Sequence, residues 1–370
     1  MLSKSLLAAS LVAPALGFDQ VLGFFDQVLG FNTITQQENR TLDEIYQAAL
    51  AEGSVVTVWH GGDEKDQQAG LKQAFEERFP GIMLNVTVDL SKYHDVRLDQ
   101  QLAAGGDAVY VDSIILQTLQ DYPRWAQEGA LLNYAPSGFD QIDQAFKDDA
   151  AAYYGVYVFF WSGALNTEKL PGVDAPVEWE DWLNPELKDK IVLTYPNDDD
   201  AVLYAFYLIM QQYGESWFDE LLTQNPRWVR GTATPGTIAG GSNYTQAAYF
   251  AAGGGFGASS PMNYTHPTQG QYVSWPQHAA ILKDAPHPEG AKLLHNFILS
   301  PEYQAATGSW SVRRDLPTPE GFPDLRNQTA TNPTAFARFM ADRALVERLR
   351  FYFESRIGPA VGLDPIDDDI

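Results

Sequence analysis

Residues 51–63 read Ala-Glu-Gly-Ser-Val-Val-Thr-Val-Trp-His-Gly-Gly-Asp, and this stretch decides the fold. Its first glycine ends a helix predicted over 41–51, which begins with a capping pattern of Thr41 and Glu44. The β-branched run after that glycine is typical of a buried strand. A second helical pattern then covers 63–79. Helix, strand and helix in this order predict a βα unit of an α/β protein.

The same alternation continues along the chain. Residues 83–90 have the pattern of a strand and 92–104 that of a helix. Residues 107–112 form a third short apolar run, which leads into a helix from Ser113. Three successive βα units predict an α/β fold with a largely parallel sheet.

Two long extended runs, residues 153–164 and 271–282, mark the middle of the chain. Both are rich in aromatic and β-branched residues and are long enough to pass between two domains. A second α/β pattern lies between and after them, with a strand over 191–194 and helices over 201–213, 215–224, 237–252, 288–300 and 333–356. Because no linker composition separates the halves, we predict two domains joined by crossing strands.

The N-terminus has the pattern of an export signal. Residues 1–17 combine Lys4, an apolar run too short to span a membrane, and small residues where a signal peptidase cleaves. Residues 18–40 are predicted as a loose arm and 361–370 as an acidic tail. Five N-x-[ST] sequons support a eukaryotic secretory route, with candidate glycosylation at Asn39, Asn85, Asn243, Asn263 and Asn327. We therefore expect a secreted, extracellular protein.

Composition excludes several function classes. The chain has no cysteine, which removes thiol catalysis and cysteine metal sites. Its formal net charge of −24 disfavours nucleic acid and anionic lipid as partners. Beyond the N-terminal signal, no apolar segment reaches transmembrane length, so we expect no membrane insertion.

Short motifs then follow one another in a specific order. They are Ala-Glu-Gly at 51–53, Phe-Glu-Glu-Arg-Phe-Pro-Gly-Ile at 75–82, Ser-Gly-Ala-Leu-Asn-Thr at 162–167, Trp-Leu-Asn-Pro-Glu-Leu-Lys-Asp-Lys-Ile at 182–191, and Pro-Glu-Gly-Ala-Lys-Leu-Leu at 288–294. This order, over roughly residues 42–325, resembles the type II periplasmic (extracellular) solute-binding proteins. The ferric-iron, thiamine and phosphonate binders are the branch most similar to it, and the export features suggest a secreted fungal member.

The resemblance implies a two-lobed clamshell with ligand in the cleft and closure by hinge motion. One lobe would comprise residues 41–158 and 272–312, and the other 159–271 and 313–360. It also implies a binding protein rather than an enzyme, acting as a monomer on a small polar ligand. Such proteins usually deliver the ligand to a membrane importer, but the sequence identifies no receptor or transporter.

Candidate ligand residues follow from a rule of α/β sheets. Ligands lie beyond the carboxyl ends of strands, where helix N-termini present free N–H groups. With aromatic residues added from the extended runs, the candidates are Trp59, His60, Asp63, Asp112, Ser113, Trp161, Tyr195, Asn197, Asp198, Thr234, Thr237, Ser260, Tyr264 and Trp275. The polar members could equally be ordinary helix caps. The acids at 198–200 favour an amine or a neutral polar ligand over an anion.

Two alternatives stay open. Ferric-iron binders of this family use two adjacent tyrosines, whereas residues 257–264 contain only Tyr264. The tyrosine pair is therefore not reproduced, and iron is kept only as an alternative ligand. A secreted carbohydrate-active hydrolase is the second alternative, which would need two carboxyl groups facing across a cleft. The histidines show no closely paired spacing. We therefore expect no catalytic residue, no cofactor and no resident metal.

Overall fold

The computed structural model describes residues 35–105 and 108–367. The strands are β1 Val55–Gly61, β2 Met83–Asp89, β3 Ser113–Leu116, β4 Tyr154–Phe160, β5 Ser162–Asn166, β6 Val192–Thr194, β7 Arg227–Val229, β8 Ala248–Ala252, β9 Gly257–Ser259, β10 Met262–Thr265 and β11 Ser274–Ile281. The α-helices are α1 Leu42–Glu52, α2 Ala69–Arg78, α3 Ser91–Ala104, α4 Asp121–Gln127, α5 Asp200–Tyr213, α6 Glu215–Thr223, α7 Thr234–Gly240, α8 Pro288–Ile298, α9 Pro301–Ala306, α10 Ala335–Ala341 and α11 Arg343–Ile357.

The first lobe is built on a five-stranded sheet of order β2-β1-β3-β11-β4. β1 pairs in parallel with β2 and β3, and β11 pairs antiparallel with β3 and β4. Helices pack on both faces. One face buries Phe75 and Phe79 against Phe297 of α8, and the other buries Trp59 with Trp125 of α4. A mixed sheet covered on both faces matches the α/β class, although it is less parallel than predicted.

The second lobe contains a four-stranded antiparallel sheet of order β8-β5-β10-β9. The parallel pair β6-β7 extends it, since a parallel bridge joins Ile191 to Ala248. Helices α5, α6 and α11 cover one face. Their aromatic side chains meet there, with Phe206 contacting Phe218, Phe250 and Phe353.

The chain crosses between the two sheets twice. β4 belongs to the first sheet and β5 to the second, and only Trp161 separates them. The return crossing runs from β10 of the second sheet through residues 266–273 to β11 of the first. Both predicted extended runs therefore join the sheets, which gives the two-lobed arrangement. The exact residue boundaries of the lobes stay a prediction.

Four secondary-structure predictions were wrong. The third strand covers 113–116, where the sequence predicted a helix from Ser113, and the described residues 108–112 of the predicted third strand are not a strand. Pairing with β1 and β11 places the strand at 113–116. The predicted helix over 237–252 is the short helix α7 followed by strand β8. Pairing of β8 with β5 overrides the helical preference of its alanines. Asp342 breaks the predicted helix over 333–356, since its side chain accepts a hydrogen bond from Leu345 N and caps α11.

The N-terminal arm is not loose where the structure describes it. Thr35 Oγ1 donates to Ala150 O at 2.7 Å, and Glu38 N donates to Ala135 O at 2.8 Å. Glu38 also accepts from Tyr134 Oη at 2.9 Å and pairs with Arg40. The remainder of the arm, the signal at 1–17 and the last three residues of the tail lie outside the described residues.

Candidate functional site

A cavity of about 560 Å³ lies between the two lobes. The first lobe contributes the residues that follow β1 and β2, including Gly62, Asp63 and Ser91. The second lobe contributes Asp199 at the start of α5 and Thr232 in the loop before α7. These positions lie beyond strand ends, as the rule for α/β sheets requires. The volume suits a small molecule.

The crossing strands give the cavity an aromatic floor. Trp161 and Trp275 meet edge to face with ring centroids 4.9 Å apart, and Phe159 stacks on Trp275 at 5.6 Å. Trp275 Nε1 donates to Gln277 Oε1 at 3.0 Å, which fixes both side chains. Trp161 Nε1 is buried without a hydrogen-bond partner among the described residues. Rigid aromatic faces of this kind suit the apolar side of a ligand or an ammonium group.

The charged groups that line the cavity are both carboxylates. Among its described lining residues, Asp63 and Asp199 are charged, and no Lys, Arg or His joins them. Burial, with a smaller contribution from the neighbouring Asp200 and Asp63, raises the pKa of Asp199 to about 7, so this carboxyl is only partly ionised at neutral pH. The remaining polar lining consists of neutral amides and hydroxyls, including Gln67, Gln117 and Thr232. The cavity therefore presents negative charge and neutral hydrogen-bonding groups.

Asp63 also joins the lobes directly. Its Oδ2 accepts hydrogen bonds from Thr232 N, from Thr232 Oγ1 at 2.9 Å and from Ala233 N at 3.2 Å. We call this set the Asp63 clasp. Because Asp63 follows β1 and Thr232 precedes α7, these bonds exist only when the lobes are together. The clasp also occupies the backbone N–H groups that would otherwise be free to bind an anion.

A second set of contacts, the Lys92 clasp, lies at the rim. Lys92 Nζ of the first lobe donates to Asp198 Oδ1 at 2.6 Å and to Asp198 O at 2.7 Å. Arg230 of the second lobe donates to Asp198 Oδ2 at 2.9 Å and to Tyr93 Oη at 3.1 Å. Burial of Asp198 opposes ionisation, yet Lys92 and Arg230 hold its pKa below the usual value. Asp198 is therefore an interlobe ion-pair partner.

Three of the predicted ligand residues line the cavity: Asp63, Trp161 and Trp275. Trp59 and His60 were placed in the cleft by the sequence, but both lie in the core. Trp59 stacks on His94 with centroids 5.0 Å apart and is 3% exposed. His60 is fully buried, and burial lowers its pKa to about 4. Both residues belong to β1, whose side chains are covered on each face of the sheet.

Asp112 and Ser113 lie at the far end of the first sheet. Ser113 begins β3 and Asp112 precedes it, so the error in strand position placed both residues at the wrong edge of the sheet. Asp112 accepts from Thr57 N at 2.7 Å and His287 N at 2.6 Å. Ser113 Oγ contacts His295 Nε2 at 2.7 Å in the interior. Both residues have structural partners away from the cavity.

The other second-lobe candidates are also outside the cavity lining. Tyr195 is buried against Trp228, Thr234 is buried in α7, and Thr237 and Ser260 are exposed. Asn197 donates to Gly358 O at 3.2 Å, and half-buried Tyr264 lies on β10 between β5 and β9.

Several lining residues were missed by the sequence analysis. Ser91 follows β2 and could have been found by the rule applied to the other strands, as could Gln117 after β3. The sequence analysis named Asp198 as a ligand residue and not its neighbour Asp199. The side chain of Asp199 caps α5 by accepting hydrogen bonds from Ala201 N and Val202 N, both at 2.9 Å. Thr232 had no local signal, because its role depends on Asp63 from the other lobe.

Within residues 35–105 and 108–367, no group of three or more His, Asp or Glu side chains is positioned to hold a metal ion. No helix in that same part of the chain is both long and apolar enough to cross a bilayer.

Comparisons with known proteins agree with this architecture. The family model described as bacterial extracellular solute-binding protein matches residues 122–309. Among curated proteins, none matches the sequence.

Many solved structures share the fold. Iron-bound HitA from Pseudomonas aeruginosa has 15% identity and a TM-score of 0.60, over 81% of this chain and 99% of that one. The periplasmic binding protein AfuA from Actinobacillus pleuropneumoniae, with fructose-6-phosphate bound, has 19% identity and a TM-score of 0.64, over 83% and 99%. A putative spermidine/putrescine ABC transporter protein from Listeria monocytogenes has 17% identity and a TM-score of 0.58, over 82% and 100%. These likenesses confirm the two-lobed periplasmic-binding-protein fold.

Proposed function

Because this chain belongs to the bacterial extracellular solute-binding proteins, we propose that it captures a neutral polar or amine-bearing small molecule between its lobes. The observation that carries the proposal is the charge of the cavity lining, where Asp63 and Asp199 face a floor of aromatic rings. The ligand is bound and released unchanged.

An anionic ligand fits this cavity poorly. The described lining offers no cationic side chain, and Asp63 already occupies Thr232 N and Ala233 N. A phosphate would have to displace that carboxylate and then lie near Asp199. An ammonium group, by contrast, would gain from both carboxylates and from the faces of Trp161 and Trp275. The electrostatics therefore favour an amine or an uncharged polar ligand.

Relatives of this fold illustrate the range of possible cargo. The solved structures above are described with iron, with fructose-6-phosphate and as a spermidine/putrescine system. Of these three chemistries, the polyamine is the one whose charge is opposite to that of the cavity carboxylates without requiring a cluster of metal ligands. Polyamines are accordingly the first ligands to test.

Export and glycosylation complete the proposal. Residues 1–17 would be removed, leaving a secreted monomeric glycoprotein of fungal origin. The side chains of Asn39, Asn85, Asn243 and Asn327 are exposed, whereas Asn263 is half-buried on β10. Attachment of a glycan needs an exposed site, so the first four are the expected positions. A membrane transporter or receptor would take the ligand from the closed protein.

A thermal-shift screen tests the function. Putrescine, spermidine and thiamine would be compared with neutral sugars, fructose-6-phosphate and Fe³⁺. We expect an amine or a neutral compound to raise the melting temperature. At a concentration 100 times its dissociation constant, such a ligand adds about 2.7 kcal/mol to the free energy of unfolding. The Asp199→Asn variant should lose at least about ten-fold in affinity for an amine. Asp219→Asn, an exposed acid that pairs with Arg356, is the matched control.

The outcome also separates binding from catalysis. A hit recovered chemically unchanged after prolonged incubation supports a binding protein, whereas conversion to products would support the hydrolase alternative. Stabilisation by fructose-6-phosphate or Fe³⁺ alone would refute the proposed ligand class.

A further inference from the structure

A second cavity, of about 490 Å³, lies on the other side of β11. Trp275 and Gln277 of β11 line the interlobe cavity, whereas His278 lines the second one. The register of β11 against β4 shifts between Gln277 and His278, which is a β-bulge or similar irregularity. Such irregularities re-aim a side chain. The two cavities are therefore separate, with β11 between them.

The second cavity differs from the first in charge. Its charged lining side chains are three cations, Arg124, Lys147 and Arg343, against one carboxylate, Asp121. This is the reverse of the interlobe cavity, and it occurs in a chain with a formal net charge of −24. A concave wall with several like charges concentrates counter-ions.

Two of these cations retain bonding capacity. Arg124 is paired with Asp99 and Asp121, so it is already neutralised. Within the described residues, Lys147 Nζ donates one hydrogen bond, to Phe139 O at 2.7 Å, and lies 4.5 Å from the centroid of the Phe139 ring, which leaves two of its N–H groups free to bind. The contacts of Arg343 are long: its guanidinium lies 3.3 Å from Glu347 and 4.0 Å from Asp200.

One neutral polar atom at the same cavity, on His278, is also without a hydrogen-bond partner among the described residues. His278 is 7% exposed, and its Nδ1 is buried with no hydrogen-bond partner in the described part of the chain. Burial lowers the pKa of His278 to about 3, so the ring is neutral and keeps one N–H donor. Burial also raises the pKa of Tyr153 to about 12, so its phenol is a donor. A buried polar atom without a partner is costly, and it indicates a missing ligand or water.

We propose that this second cavity is a binding site for a small organic anion that bears carboxylate or phosphate groups. Lys147 and Arg343 supply the charge, and Tyr153 and His278 orient the ligand by hydrogen bonds. The volume exceeds what a bare inorganic ion fills and falls within the range of small-molecule sites. This site does not depend on the ligand of the interlobe cavity.

Calorimetric titration of the full chain at low ionic strength tests the site. Citrate and inorganic phosphate are the probes, and they separate a carboxylate ligand from a phosphate ligand. We expect one of them to bind once per chain, and to bind more weakly as salt is added. Lys147→Met and Arg343→Met should each weaken binding at least about ten-fold. Lys188→Met removes the same charge from an exposed position outside the lining of this cavity and should change nothing.

Two further variants keep the test decisive. Tyr153→Phe should weaken binding several-fold while preserving the ring packing against Tyr122 and His278. Asp199→Asn, in the interlobe cavity, should leave the affinity for citrate or phosphate unchanged. No saturable binding of either probe up to about 10 mM would overturn the proposal. So would equal affinity in folded Lys147→Met, Arg343→Met and wild-type protein.

Discussion

Replacing Asp63 by alanine removes the acceptor of the Asp63 clasp. Three donors of the second lobe, Thr232 N, Thr232 Oγ1 and Ala233 N, then lose their partner in the first lobe. The core of each lobe is unaffected, because Asp63 belongs to none of the four hydrophobic clusters among the described residues. The expected result is a shift from the closed to the open arrangement.

The size of that shift follows from the bonds. A hydrogen bond to a charged group contributes about 1.5–3 kcal/mol. The three bonds share one oxygen, and water replaces them in the open form, so we expect a net loss of about 2–3 kcal/mol. The ratio of closed to open protein should fall roughly 30- to 150-fold. Lys92→Met, which breaks the other clasp without touching the cavity lining, should cost about 1 kcal/mol.

Small-angle scattering measures the arrangement, and titration with the ligand found in the screen measures its consequence. The radius of gyration should rise for Asp63→Ala and, less strongly, for Lys92→Met. Ligand affinity should fall in the same order, because a ligand that binds the closed form is weakened by the loss of that population. Asp66→Ala, an exposed acid of the same segment, is the control. Scattering and affinity identical to wild type in Asp63→Ala would refute the reasoning.

Three further predictions concern pH and modification. Burial lowers the pKa of His266 to about 4 from 6.5, so below pH 6.5 only the unfolded state gains a proton and stability falls towards pH 4. His266→Gln should reduce that slope by about 1.4 kcal/mol per pH unit in urea unfolding, and an unchanged slope would contradict it. Asp199, with a pKa of about 7 against 3.8 unfolded, makes stability fall as pH rises through that window. Because the Asp199 side chain is only half-buried, solvent reduces the effect of the shifted pKa on stability. Asp199→Asn should therefore stabilise the ligand-free protein by about 2 kcal/mol at pH 8. Equal stability at pH 5 and 8 in both proteins would count against this prediction. Finally, intact-mass analysis of protein from its own source should show glycans lost with an N-glycosidase, at exposed Asn39, Asn85, Asn243 or Asn327 before Asn263, and a chain without glycans would contradict the secretory route.

The sequence predicted the fold well, because the signals involved are local or ordered along the chain. The run at 54–59 became β1, and the run at 153–164 became β4 and β5, which join the two sheets. Errors occurred where pairing decides the structure. β8 is rich in alanine and has no strand signal of its own until it lies between β5 and Ile191.

The candidate site was harder to predict than the fold. Trp161 and Trp275 line the cavity and could be named from the sequence because they lie on the crossing runs, while their role in ligand binding stays a prediction. Trp59 was predicted in the cleft but lies in the core. The sequence did not show that both faces of β1 are covered, so that the side chains on either face can be buried. Thr232 could not be found, since its part in the site depends on a contact with Asp63 across the cleft. Contacts between lobes leave no periodic signal in either segment.

The identity of the bound molecule tests the central claim most directly. Mass spectrometry of protein purified from its own source, under native and then denaturing conditions, would give the mass and charge class of the released ligand. We expect one neutral polar or amine-bearing molecule per chain, lost in the Asp199→Asn variant. A phosphate ester, a carboxylate or iron released in place of such a molecule, and still released from Lys147→Met protein in which the second cavity is disabled, would contradict the account.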